Sequence, residues 1–328
     1  MCNFEYVQLD MLAVSKIIQH AKDEGDEMSS GCLVGLCADD ILEVTNCFAL
    51  PSMNRQQSEV SGPSPDPETY QAEMIRFLRQ ANCDYLQIGF YQSVPSSKGG
   101  TSTLSESVEL VQALYDYNRH TDVNIAILYD PVKSAKGFLY LKAYRLSKAA
   151  LQLGAQGGGG GGITPEIVTQ RNFKYKDLLD ELPIKLKRSP LVGLLMLDIA
   201  AQHPSCEKHL EIDCPEVLES TLNELNSKLD DAIAESYAVS SYSRQLQRYN
   251  TQKYNLTMER RKENEARKAR NECPLPENIT PLLPQLNVPQ RLNSLMASHE
   301  IDKTADYLKT YFAHTVFKLA ALEKGLRK

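Results

Sequence analysis

The sequence predicts an α/β domain, a sheet flanked by helices, followed by an extended all-α C-terminal region. Three observations carry this. Strand and helix patterns alternate through roughly the first 145 residues, six glycines interrupt them at 157–162, and leucines then recur at alternating spacings of four and three.

In order, Leu9, Leu12, Val14, Ile17, Ile18 and Ala21 share one helical face between residues 8 and 22. GCLVGLC (31–37) and ILEVTNCFA (41–49), parted by Asp39 and Asp40, read as a hairpin. The polar, Pro-rich stretch 51–67 is a loop. Asp66, Pro67 and Glu68 then open a helix whose face holds Tyr70, Met74, Phe77, Leu78 and Ala81. YLQIGFY (85–91) is a strand, and after the loop 92–102 a helix carries Val108, Val111, Leu114 and Tyr115. VNIAILYDP (123–131) is nearly all apolar, as a central strand is, and stops at Asp130-Pro131 because proline cannot continue the ladder. FLYLKAYRL (138–146) alternates as a half-buried strand should.

These patterns divide the chain into a domain over 1–150, a Gly-rich linker over 151–166, an extension with a connecting helix over 167–214, and a long coiled-coil-like helix over 215–271. A Pro-rich loop (272–289) and a terminal helix (290–328) complete it. No Lys-Ser or Lys-Thr follows the glycines, which argues against a phosphate loop. In the long helix Leu218, Leu222, Leu225 and Leu229 begin a seam that small residues dilute further on. In the last helix Leu292, Leu295, Leu308, Tyr311, Phe312, Val316 and Leu319 make an apolar face that wants a partner.

Composition narrows the function. Hydrophobic residues are 42% and charged residues 24% of the chain, ordinary values for a globular protein, and the net charge of −6 argues against a surface that grips nucleic acid throughout. The first residues lack a signal-peptide pattern, and the most apolar stretch, 190–201, is short and broken by Asp198. Eight cysteines lie scattered without a CxxC pair, so a reduced, cytoplasmic protein is expected.

GFYQSVP (89–95) raises the question of a metal. Zinc-dependent JAMM hydrolases present two histidines in this kind of strand end, His-x-His-Pro, then Ser and Asp, with a Glu base at the head of an earlier strand. With Pro95 fixed, the histidine positions hold Gln92 and Val94, the serine position Ser102 and the aspartate position Ser105; counting back from Gly31 and Gly35 puts the base at Met28. A hydrolytic zinc needs three protein ligands, an open water position and a carboxylate to take the water's proton. An amide is a poor zinc ligand and valine is none, so these positions predict neither metal, cofactor nor catalysis.

The chain resembles, over nearly its full length, the H-subunit family of eukaryotic translation initiation factor three, whose MPN (JAMM-like) domain is of the metal-free kind. The likeness is carried by LVGLCADDILEVTNCFALP (33–51), YQAEMIRFLRQANCDYLQIGFYQS (70–93), LYDPVKSAKGFLYLKAYRL (128–146), ELPIKLKRSPL (181–191) and RLNSLMASHEIDKTADYLKTYF (291–312). The resemblance implies a central mixed sheet in 1–150 without metal ligands, and a non-catalytic scaffold that assembles on the small ribosomal subunit and recruits mRNA. It implies pairing with a second MPN subunit, called F, and with PCI-domain subunits through a C-terminal helical bundle. The partner-binding residues would be Leu218, Leu222, Leu225, Leu229, Leu295, Leu308, Tyr311, Phe312, Val316 and Leu319. Removing 288–328 would then release the chain from its assembly while leaving the MPN domain folded. An MPN scaffold of a proteasome-lid or signalosome type, and a zinc-dependent ubiquitin isopeptidase, are the alternatives.

Other signals read blandly. Residues 244–271 hold nine Lys or Arg against three Glu, which suits a solvated helix face better than an RNA contact. His203, Cys206, His209 and Cys214 have metal-ligand chemistry but no known zinc spacing. Cys32, Cys37, Cys47 and Cys83 read as small core residues. The helices at 8–22 and 103–118 serve either subunit pairing or plain core packing.

Overall fold

The computed structural model describes residues 4–25, 27–38, 40–51, 66–94, 104–121, 123–135, 139–157, 168, 171–202, 215–270, 273, 288 and 291–326. Its first element is a strand that the helical periodicity hides: β1 (Tyr6–Asp10), buried at every second residue. Asp10 then caps α1 (Met11–Glu24), its carboxylate accepting from the Leu12 amide at 3.1 Å. Because Leu9 stands two residues from Val7 and three from Leu12, it fits both periods, and the sequence alone merges the two elements.

The hairpin forms as β2 (Ser30–Ala38) and β3 (Ile41–Ala49), followed by α2 (Pro67–Gln80), β4 (Gln87–Ser93), α3 (Leu104–His120) and β5 (Ile125–Tyr129). A short helix, α4 (Pro131–Ala135), precedes β6 (Leu141–Leu146), and α5 (Lys148–Gly157) occupies the start of what the sequence predicts as linker. Two four-residue strands, β7 (Leu179–Leu182) and β8 (Ile184–Lys187), lie in the stretch expected to be almost wholly helical. They close opposite edges of one eight-stranded mixed sheet, ordered β7-β6-β5-β4-β2-β3-β1-β8. Each is too short to announce itself locally and exists through pairing with β6 or β1. The remaining helices are α6 (Pro190–Gln202), α7 (Pro215–Ala269) and α8 (Arg291–Leu326). Among the described residues, no helix is long and apolar enough to cross a membrane.

The sheet has a core on each face, as strand alternation requires. Tyr91, Ile125 and Ile127 point to one side, where Val14 and Ile17 of α1 cover them; α1 is therefore core packing on its buried face. Phe90, Ala126, Tyr144 and Leu146 point to the other and meet Val111 and Leu114 of α3, Leu153 of α5 and Leu292, Leu295 and Met296 of α8. α2 lays Tyr70, Met74 and Leu78 over Cys32, Val34 and Phe48.

Two glycines permit close approaches in β2. A Cβ on Gly31 would stand 2.3 Å from the Tyr91 ring, and one on Gly35 1.9 Å from the Glu43 carbonyl oxygen. Burial pushes the Cys32 and Cys47 thiols up to about 12, which makes them inert core residues. Cys83, expected in the core, is exposed.

Candidate functional site

Three strand ends converge to make the site. Ser30 of β2 pairs with Gln92 of β4, and Ser93 of β4 with Tyr129 of β5. Buried Ser29 and Ser93 lock the corner: the Ser93 hydroxyl oxygen accepts from the Ser29 hydroxyl at 2.7 Å and from its amide at 3.0 Å, and the Ser93 amide donates to the Ser29 carbonyl at 2.8 Å. The Val94 amide donates to Tyr129 O at 2.9 Å, carrying the chain one residue past the strand. Met28 and, sixty-odd residues later in the sequence, Gln92 and Val94 thereby line one pocket. The Gln92 side-chain nitrogen lies 2.6 Å from the Met28 sulfur. Ser102 lies outside the described residues. Ser105 is the second residue of α3, its side chain outside the description.

Asp130 directly follows β5 and is almost fully buried. One of its oxygens accepts from the Lys133 amide at 2.9 Å, starting α4, and the other pairs with the Lys133 ammonium at 2.9 Å. That ammonium stands 4.9 Å from the Tyr140 ring and 5.0 Å from the ring of Tyr307 in α8, a cation held between two aromatic faces. Glu181 of β7 takes Lys142 of β6 and Lys303 of α8 together. Burial alone would raise the Glu181 carboxyl, but hydrogen bonds and charge from the two lysines outweigh it and hold it below the usual range. Lys228 of α7 is nearly buried between Glu224 at 2.8 Å and Glu300 of α8 at 3.3 Å.

The pocket thus has a floor of Met28, Gln92, Val94 and Asp130 and a roof from two C-terminal helices, Glu224 and Lys228 of α7 with Met296, His299, Lys303 and Tyr307 of α8. Its volume is about 130 Å³. Burial first, then the nearby Lys303 charge, pull His299 down to about 4, so at neutral pH it is an uncharged imidazole set edge-on to Tyr144 at 6.1 Å. Among the described residues, no group of three or more His, Cys, Asp or Glu side chains is placed to hold a metal ion. His203, Cys206, His209 and Cys214 lie outside the described residues.

The residues expected to bind partners divide. Leu295 and Leu308 are buried within this chain, Leu295 in the core under the sheet. On α7 the covered stripe runs through Leu218, Thr221, Leu225, Lys228 and Ala232, so Leu222 and Leu229 fall one position to its side and stay exposed. Tyr311 is half-buried, whereas Phe312, Val316 and Leu319 are exposed, with Phe317 beside them at 71%. Sequence reasoning misses α6 as a surface: Leu191, Leu194, Leu195, Leu197 and Ile199 are all exposed on it. Its signal is present in the lack of any polar stripe across 190–202.

An MPN domain extended by long helices is the class of protein that this sheet, corner and roof define, and residues 3–117 match the family model described as JAB1/Mov34/MPN/PAD-1 ubiquitin protease. Residues 134–327 match the model of the C-terminal region of eIF3h. The chain is 33% identical to the H subunit of eukaryotic translation initiation factor 3 from Bombyx mori over 96% of its own length and 90% of that protein. The H subunit from Culex quinquefasciatus is 32% identical over the same shares, and the H-B subunit from Danio rerio 30% identical over 97% of this chain and 92% of that one. The chain belongs to the H-subunit family of eukaryotic translation initiation factor 3.

Proposed function

We propose that this chain is a non-catalytic scaffold subunit of a cytoplasmic translation initiation factor 3 complex, acting in assembly on the small ribosomal subunit and in mRNA recruitment. The observation that carries the non-catalytic part is the floor of the pocket. Met28, Gln92 and Val94, which sequence spacing sets at the base and two ligand positions of a JAMM hydrolase, line one pocket, and they offer a thioether, an amide and an alkyl group. A thioether and an amide do not make the inner shell of a hydrolytic zinc, and none of the three can take a proton from water.

The scaffold part rests on family membership and on exposed apolar surface: the all-round apolar α6, Ile233 and Tyr237 on α7, and Val316, Phe317 and Leu319 on α8. In this reading 215–271 and 290–328 supply the helices of a bundle shared with PCI-domain subunits, and the MPN domain pairs with a second MPN subunit, the one called F. The exposed basic stretch 244–270 remains a solvated helix face.

Native purification of the tagged full-length chain, followed by mass spectrometry, tests the proposal. Other subunits of the factor co-purify, and Val316→Asp/Leu319→Asp reduces their recovery at least about tenfold without altering the thermal transition. Recovery of the chain alone, or with proteasome-lid or signalosome subunits, overturns it. Chelator-sensitive cleavage of a ubiquitin chain by the purified protein overturns its non-catalytic part.

A further inference from the structure

The last helix is apolar over most of its length, yet the structure treats its two halves differently. From Arg291 to Leu308 it is part of the MPN domain: Leu292 is completely buried and Met296 nearly so, packed with Tyr144 and Leu110 beneath the sheet. Three polar ties continue that attachment one or two turns at a time. Glu300 meets Lys228 at 3.3 Å, Lys303 meets Glu181, and Tyr307 closes over the Lys133 ammonium while lying edge-on to Tyr140 at 6.3 Å. After Leu308 the pattern changes, and Phe312, Val316, Phe317 and Leu319 stand exposed at 48–71%.

The attached half stands beside Met28, Gln92 and Val94, the residues that sequence spacing sets at the hydrolase positions. Its residues share with Gln92 and Val94 the lining of one pocket of about 130 Å³, below the ~300–1,000 Å³ of ligand pockets, which stays partly open to solvent beside the exposed Met28. Among the described residues, the side chains of α8 from Met296 to Tyr307 occupy one wall of that space.

We infer that α8 is a fixed lid up to Leu308 and a separate arm beyond it, and that the lid obstructs entry of an extended polypeptide to the corner at Gln92, independently of the missing zinc ligands. The arm's use in assembly rests on the proposed function; the lid does not. The division also changes the expected result of deletion. Removing residues from 288 onward takes Leu292, Leu295 and Met296 out of the domain's core, so it damages the MPN domain as well as detaching it from partners.

Peptide-resolved hydrogen exchange on the wild-type full chain is the first test. Amides of 292–308 exchange at least about 100-fold more slowly than those of 312–324. One common rate along α8 overturns the inference. The second test places a thiol on the floor, Gln92→Cys, with the accessible native cysteines changed to serine. A polymer-linked maleimide then labels it at least about tenfold faster once Lys303→Ala/Tyr307→Ala releases the lid. Equal rates with and without those changes overturn the closure. Intact two-rate exchange with no co-purifying subunits would sink the scaffold reading alone, and single-rate exchange with full co-purification would sink the lid alone.

Discussion

Gln92 and Met28 face each other in the floor of the pocket, amide nitrogen to sulfur at 2.6 Å, beside strand ends that Ser29 and Ser93 bind together. An amide and a thioether are poor partners for a hydrolytic zinc. A bound ion at about 100 times its dissociation constant would stabilise the fold by ~2.7 kcal/mol. We therefore expect the purified chain to carry no stoichiometric zinc and its urea midpoint to be the same with and without a chelator. Elemental analysis with paired denaturation curves checks both.

Gly31 makes a second, structural prediction. The Tyr91 ring lies across its Cα, so a methyl group at 31 would meet ring atoms at 2.3–2.4 Å. The ring has no easy retreat, because it is 1% exposed and its hydroxyl is held to His20 Nδ1 at 2.9 Å. Gly31→Ala should cost ~1–3 kcal/mol, the usual range for overpacking a filled core. Chemical denaturation of the variant measures it, and a cost near zero would show that the ring moves freely.

The same corner shows how far sequence reasoning reaches. Gln92, Val94 and Met28 could be placed from spacing because each sits within three residues of a strong strand pattern, YLQIGFY or GCLVGLC. The central strands β2 to β5 were legible for the same reason, as was the amphipathic part of α7. β1, β7 and β8 were not. Each has four or five residues and depends on strands more than 30 positions away, so no local period marks it. The roof was hidden more deeply still. Lys133 finds Tyr307 across 174 positions, and nothing near either residue announces the contact. The apolar face of α8 is legible in the sequence as a face, but composition cannot say that its first half finds cover within the same chain.

Lys228 is the charge on which α7 and α8 meet. Its side chain is 12% exposed and Glu300's 9%, so little water screens the pair. Lys228→Ala leaves Glu224 and Glu300 facing each other without the ammonium between them and should destabilise the helical layer by ~3–5 kcal/mol. Lys228→Met/Glu300→Gln removes both charges of the inter-helix pair and should cost far less. A double-mutant cycle by urea denaturation decides between them. Equal costs would mean that loss of the ion pair itself, and neither lost packing nor carboxylate repulsion, is responsible.

His299 gives the lid a pH dependence whose sign is fixed. Burial, reinforced by Lys303, lowers the imidazole from its ordinary 6.5 to about 4, so the unfolded chain takes up the proton first as pH falls. The folded state is thus penalised progressively between about pH 6.5 and 4, and its full contribution from this residue is present only above that window. At ~1.36 kcal/mol per unit the loss is on the order of 3 kcal/mol. Glu181 acts at lower pH and in the same sense: its carboxyl is held below 4.5 by Lys142 and Lys303, and its stabilisation disappears as that group protonates. His299→Gln, neutral at every pH, should flatten the stability curve between pH 6.5 and 5 while leaving the steeper fall below it. Urea midpoints measured across that range for both proteins test this, and parallel curves would show that His299 is solvated in the folded chain.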